Sequence, residues 1–94
     1  MAVVTAPMSL ELKIALKRLV YLQAIRATVL TAFGPGAPTD KVLASDVAKH
    51  VADALGRECS PWLRRDVTQA MQALAGWRSV MNEGYRLWRG VKRL

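Results

Sequence analysis

The longest periodic segment of the chain runs from Ser9 to Phe33, and its apolar residues recur at helical spacing. Ser9 is suited to cap the start of this helix, and eight residues form a broad apolar stripe: Leu12, Ala15, Leu16, Leu19, Leu22, Val29, Leu30 and Phe33. Leu10, Ile14 and Ile25 fall outside the stripe. Because this is more apolar surface than one small domain should bury, we predict that these three residues mediate a homodimer; a helix buried within its own domain is the alternative.

Two shorter helical patterns follow the Gly- and Pro-rich loop at 34–40. Residues 41–43 predict a short strand, after which Ser45 is expected to cap a helix that stops at Gly56. Ser60 and Pro61 are typical of the cap and the first residue of a third helix, which reaches about Ala75. Since only a tight turn separates the two helices, residues 44–75 predict a helix-turn-helix.

The third helix has one apolar face and one polar face. Leu63, Val67, Ala70, Met71 and Leu74 share the apolar face, and the opposite side carries Trp62, Arg64, Arg65, Thr68, Gln69 and Gln72. Arginine and glutamine can form paired hydrogen bonds with guanine and adenine edges in the major groove, and threonine can reach phosphate or a thymine methyl. The pattern therefore predicts a recognition helix. Trp62 either stacks on a ligand or folds back onto the second helix.

After Gly76 the apolar period changes from 3.6 to 2. Residues 77–81 and 85–89 predict two strands joined by Asn82-Glu83-Gly84, whose glycine can adopt the left-handed conformation of a tight turn. We therefore predict a β-hairpin within residues 77–91.

The order helix, short strand, helix, turn, helix, hairpin resembles the winged helix family over about residues 21–94. The resemblance rests on VLASDVAKHVADALG, SPWLRRDVTQAMQALAGW and SVMNEGYRLWRGVKR. The closing hairpin segment is also similar, more weakly, to the winged helix tails of phage and plasmid replication primases, although no catalytic primase or helicase motif is present. The expected fold is mainly α with a small β-hairpin: a flexible arm at 1–8 and one winged helix domain at 9–94, with the long helix at 9–33 as the dimerisation element.

The resemblance implies how the chain would bind double-stranded DNA. The recognition helix would enter the major groove through Arg64, Arg65, Thr68, Gln69 and Gln72, with Trp62 at its exposed start. Arg78, Arg86 and Arg89 of the wing, with Asn82 at its tip, would contact flanking phosphates, and Lys92 and Arg93 could extend that track. Because winged helices also bind proteins, a protein-binding adaptor or inhibitor is the alternative.

Charge supports a polyanionic partner. The net charge is +7; residues 1–56 carry six basic and four acidic residues, whereas residues 57–94 carry eight and three. The basic end of the chain is therefore the end with the predicted DNA-binding elements, although a basic surface that serves only solubility is the simpler reading. We expect a small transcriptional regulator of the kind that phages and mobile elements encode, ahead of a replication or DNA-organisation accessory protein.

Other chemistry has little support in the sequence. His50 and Cys59 lack the further ligands of a zinc site, no nucleophile is paired with a base, and Asp46 and Asp53 fit a solvated helix face better than an acid–base pair. We therefore expect no enzyme activity, no metal and no cofactor. The single cysteine and the absence of a long uncharged apolar run predict a cytoplasmic protein without a membrane partner, associated with the nucleoid if bacterial or phage.

Overall fold

The computed structural model describes residues 9–94, and the arm predicted at 1–8 lies outside the described residues. Three helices and five short strands form an α+β fold with small antiparallel sheets: α1 (Leu10–Leu30), β1 (Phe33–Pro35), β2 (Lys41–Leu43), α2 (Ala44–Leu55), α3 (Pro61–Leu74), β3 (Arg78–Asn82), β4 (Tyr85–Arg89) and β5 (Val91–Arg93). The strand content is thus higher than the expected mainly α chain with one hairpin.

Two helices begin at the serine caps that the sequence predicts. The Ser9 hydroxyl accepts the Leu12 N–H at 3.1 Å, and the Ser60 hydroxyl accepts the Leu63 N–H at 3.2 Å. Pro61 occupies the first turn of α3, where its missing N–H has no partner to lose. Both starts are therefore determined by local hydrogen bonding.

The boundaries of α2 follow the prediction at one end only. Gly56 ends the helix in the left-handed conformation, with φ of 64°, and the Arg57 N–H returns to the Ala52 carbonyl at 2.9 Å. At the other end the expected Ser45 cap is wrong. The strand β2 runs directly into the helix, so the cap position falls on Leu43, which has no side-chain cap.

The end and the buried side of α1 also differ from the prediction. The helix stops at Leu30, and Phe33 belongs to β1. Ile25, predicted to need a dimer partner, is fully buried in the core of its own domain together with Leu22 and Val29. Ile25 is therefore not a dimerisation residue. Apolar residues lie on two sides of this helix, so their periodicity does not identify the side that packs.

The hairpin has a tighter turn than predicted. Asn82 is the last residue of β3 and lies opposite Tyr85 of β4, so only Glu83 and Gly84 form the turn. Both have positive φ, 52° and 82°, as a two-residue turn matched to the twist of a hairpin requires. The predicted turn was one residue too long.

The strand pairings close the fold. β4 lies between β2 and β3, and β5 pairs with β1 in a separate two-stranded sheet. The core consists of buried residues from all three helices and from the strands β1, β4 and β5: Leu22, Ile25, Val29, Phe33, Val47, Ala48, Val51, Ala52, Leu63, Val67, Ala70, Met71, Trp88 and Val91. In the described part of the chain, no helix combines the length and apolar character needed to cross a membrane.

Candidate nucleic-acid interface

α3 buries its apolar face and exposes its polar face, as the sequence predicts. Leu63, Val67, Ala70 and Met71 are buried against the other helices. Trp62 is 71% exposed, and the Arg65 guanidinium carbon lies 5.3 Å from the centre of its ring. Trp62 therefore does not fold back into the core, and it packs on its own helix with an arginine over its ring.

An open groove of about 380 Å³ separates the polar face of α3 from the tip of the hairpin. Arg64, Arg65 and Thr68 of α3 line one wall, and Arg86 of β4 lines the other. The remaining lining residues come from the start of α2 and the hairpin turn: Leu43, Ala44, Ser45, Gly84 and Tyr85. We call this the arginine groove. It brings together four of the residues predicted from two separate segments of the sequence.

The arginine groove is electrostatically suited to an anion. Its described lining contains three guanidinium groups and no carboxylate. The start of α2 also lines it, and the free N–H groups at a helix start carry partial positive charge. The Thr68 hydroxyl donates its one proton to the Arg64 carbonyl at 2.9 Å, so its oxygen is left as an acceptor on the helix surface. The guanidinium groups and the helix start together suit phosphate and base-edge acceptors.

Gln69 is exposed on the same helix, but it is tied to α1. Arg18 donates from one terminal nitrogen to the Gln69 side-chain oxygen and to the Asp66 carboxylate, both at 2.7 Å. Tyr21 donates its hydroxyl to the same carboxylate at 3.1 Å. The hydrogen bond to Asp66 raises the pKa of Arg18, and burial, followed by the bond to Asp66, raises the pKa of Tyr21. Gln69 therefore stands at one edge of the polar face, positioned by α1.

Gln72 lies at the edge of α3 that faces the sheet. Its amide nitrogen lies 3.5 Å from the Ser79 hydroxyl of β3, a long hydrogen bond that links the end of the polar face to the hairpin. Gln72 thus sits where helix and hairpin meet, while remaining exposed.

The predicted arginines of the hairpin divide between the two faces of the sheet. Trp88 is fully buried, so its side of β4 faces the helices, and Arg86, two residues away, lies on that same side. Arg89 is adjacent to Trp88 and lies on the opposite side, directly across from Arg78 of β3 and Lys41 of β2. These three cations form what we call the outer basic row. Only Arg86 joins the arginine groove.

The other predicted contacts lie apart from the arginine groove. Asn82 is exposed near the hairpin turn, on the side of the outer basic row, where it lines a shallow depression with Lys41 and Arg89. Lys92 and Arg93 belong to β5, and the Arg93 guanidinium carbon lies 5.1 Å from the centre of the Phe33 ring. These two residues pair with β1 and lie outside the arginine groove.

The sequence did not identify three residues of the described site: Arg18, which contacts Gln69; Lys41, which belongs to the outer basic row; and Ser45, which lines the arginine groove. Arg18 and Lys41 lie far along the chain from the residues they approach, so no local pattern could have identified them. Ser45 has a local signal, because serine is typical of helix starts, but it lies in the first turn of α2 and not at the cap position. It lines the groove from the first turn of α2.

Comparison of the chain with protein-family models, curated proteins and solved structures finds no match. What the site can bind therefore has to follow from the chemistry of its own side chains. Its arginine side chains can bind negatively charged groups, and the exposed Gln69 and Gln72 amides beside them can donate hydrogen bonds to further acceptors. Within residues 9–94, no group of three histidine, cysteine or acidic residues could hold a metal ion.

Proposed function

We propose that the protein is a winged helix protein that binds double-stranded DNA and regulates transcription by occupying its site, without chemistry of its own. The observation that supports this most directly is the arginine groove, in which Arg64, Arg65 and Arg86 converge beside an exposed helix. A reducing cytoplasm suits both such a partner and the free thiol of Cys59.

The dimensions of the elements support this proposal. The major groove of B-DNA admits an α-helix, and α3 exposes its polar face along its 14 residues. With α3 in the major groove, Arg86 lies on the neighbouring hairpin, on the side of the sheet that faces α3. α3 then supplies contacts that discriminate bases, and the hairpin supplies contacts to the phosphate backbone.

The proposal is tested by selecting bound duplexes from a random DNA pool and measuring affinity by fluorescence anisotropy. We expect a preferred sequence, bound more tightly than random DNA of equal length. Arg65→Ala should cost roughly 1–3 kcal/mol on the preferred duplex and much less on random DNA, because a base contact carries sequence information.

Lys49→Ala is the matched control, since it removes an exposed cation from α2 outside the arginine groove. It should leave the preference for the selected duplex unchanged. Equal losses on both DNAs for Arg65→Ala would assign Arg65 to the phosphates. No binding to any duplex at low salt would exclude the proposal.

A protein-binding adaptor is the second candidate, favoured by large apolar side chains that are exposed on α3 and on the hairpin. Trp62, Met81 and Tyr85 are each more than 60% exposed, and Tyr85 lines the arginine groove. Salt separates the two functions. A DNA complex with about five phosphate contacts should weaken with a log–log slope of about −4 to −5, whereas an apolar protein interface should respond far less.

A further inference from the structure

The side of α1 that points away from the core carries a second apolar surface. Its members are between 37% and 66% exposed, and we call them the outer stripe: Leu12, Leu16, Leu19, Val20 and Leu30. The core-facing side is formed by Leu22, Ile25 and Val29 instead. Leu10 and Ile14 are 72% and 58% exposed, in line with the prediction that the core leaves them uncovered, and the outer stripe adds a second uncovered apolar side that the sequence placed in the core. Within residues 9–94 nothing covers it.

We propose that the outer stripe packs against the outer stripe of a second copy, so that the protein forms a homodimer through a two-helix coiled coil. The spacing supports this geometry. From Leu12, alternating steps of four and three residues reach Leu16, Leu19, Gln23, Arg26 and Leu30. This is the heptad spacing that keeps one seam of a helix facing a partner helix.

The area and the charge of the seam suit an identical partner. Two helices the length of α1, about 31 Å, bury on the order of 1,000–1,200 Å² in total, close to the lower bound of specific interfaces. Over that full length the two helices run antiparallel, so that Leu12 of one copy lies opposite Leu30 of the other and Arg26 lies opposite Leu16, and the two-fold axis does not bring the two Arg26 side chains together. Arg18, the cation nearest to the seam on its core-facing side, already forms an ion pair with Asp66.

The dimer does not depend on the proposed function. If both hold, each dimer carries two arginine grooves, and its preferred DNA contains two half-sites about one helical turn, roughly 34 Å, apart. If the protein is monomeric but binds a preferred DNA sequence, only the proposed dimer is wrong. If it is dimeric but does not bind DNA, only the proposed function is wrong.

Sedimentation equilibrium of the whole chain without DNA, from about 1 to 100 µM, tests the proposal. The parent protein should shift from a mass near 10.4 kDa to twice that value as concentration rises. Leu19→Glu should weaken dimerisation at least about a hundredfold, because it removes a buried leucine and places two like charges at the seam.

Ile14→Glu is the matched control. Ile14 is 58% exposed on the same helix but roughly 160° away from Leu12 and Leu16 around its axis. This variant should dimerise like the parent, with the same helical circular dichroism. A parent protein that is monomeric at 100 µM, or a folded Leu19→Glu variant that still dimerises, would overturn the proposal. Binding of a monomeric parent to anionic vesicles would also overturn it and assign the stripe to a lipid surface.

Discussion

Arg18 is the residue through which α1 contacts the polar face of α3. Its guanidinium bridges Asp66 and Gln69, which lie one turn apart on α3. Reading an adenine through paired hydrogen bonds requires both the oxygen and the nitrogen of a glutamine amide. Because Arg18 already engages the Gln69 oxygen, Gln69 is oriented with its amide nitrogen free to donate. The hydrogen bonds that Gln69 can offer to a ligand thus depend on a residue of another helix.

Replacing Asp66 with asparagine should lower the free energy of unfolding by about 1 kcal/mol, because Arg18 loses a charge-assisted hydrogen bond. The estimate is modest since the Arg18 side chain is 39% exposed and water screens the pair. Urea unfolding measures the change. Asp53→Asn, on the exposed side of α2, is the control and should change stability by less than about 0.5 kcal/mol. Equal effects of the two substitutions would show that the bridge adds nothing.

The three-stranded sheet separates arginines that look alike in the sequence. Arg86 and Arg89 lie on either side of the buried Trp88 in the sequence of β4, yet the alternation of side chains along a strand places them on opposite faces of the sheet. Arg89 faces Arg78 and Lys41 across the strands, and direct opposition of like charges is unfavourable unless an anion lies nearby. Position along the chain suggests one basic wing, whereas the sheet makes two separate basic surfaces.

Arg86→Gln should therefore weaken DNA binding more than Arg89→Gln. Because Arg86 faces the arginine groove, its loss should flatten the log–log salt slope by about one for every duplex sequence. Arg89→Gln should leave the slope nearly unchanged when a single short duplex is bound. Anisotropy titrations between 50 and 300 mM salt compare the two. The reverse ranking would place the outer basic row on the DNA in place of the arginine groove.

The fold as a whole is closed by contacts between distant parts of the chain. β5 follows the hairpin and pairs with β1, which follows α1, and the Leu94 N–H donates to the Ala32 carbonyl at 2.8 Å. Phe33 lies at the centre of this closure and is 1% exposed. The edge of its ring packs with His50 of α2 at 5.9 Å between ring centres. One aromatic residue thus joins α2 and both strands of the second sheet.

Phe33→Ala should cost about 3–5 kcal/mol of unfolding free energy, a large part of the stability of a domain this size. The loss combines the transfer of a buried ring with the cavity left behind. Thermal unfolding followed by circular dichroism measures it. Leu55→Ala is the control because Leu55 is 38% exposed at the end of α2, and its cost should stay near 1 kcal/mol. Similar costs for both would mean that the β1–β5 closure is not part of the cooperative core.

Local features were readable from the sequence because their causes lie within a few residues. Ser60 and Pro61 start α3 through a hydrogen bond three residues away, Gly56 stops α2 because it can adopt positive φ, and the two faces of α3 follow from a regular apolar period. The residues lining the α3 side of the arginine groove were predicted for the same reason.

The tertiary structure alone decided which of two apolar sides of α1 is buried, since apolar residues on both sides of a helix give no periodic signal that favours one of them. It also decided the pairing of β1 with β5 and the contact of Arg18 with Gln69, because both join residues far apart in the chain. Finally, it separated Arg86 from Arg89, since a shift of one residue along a strand changes the face of the sheet.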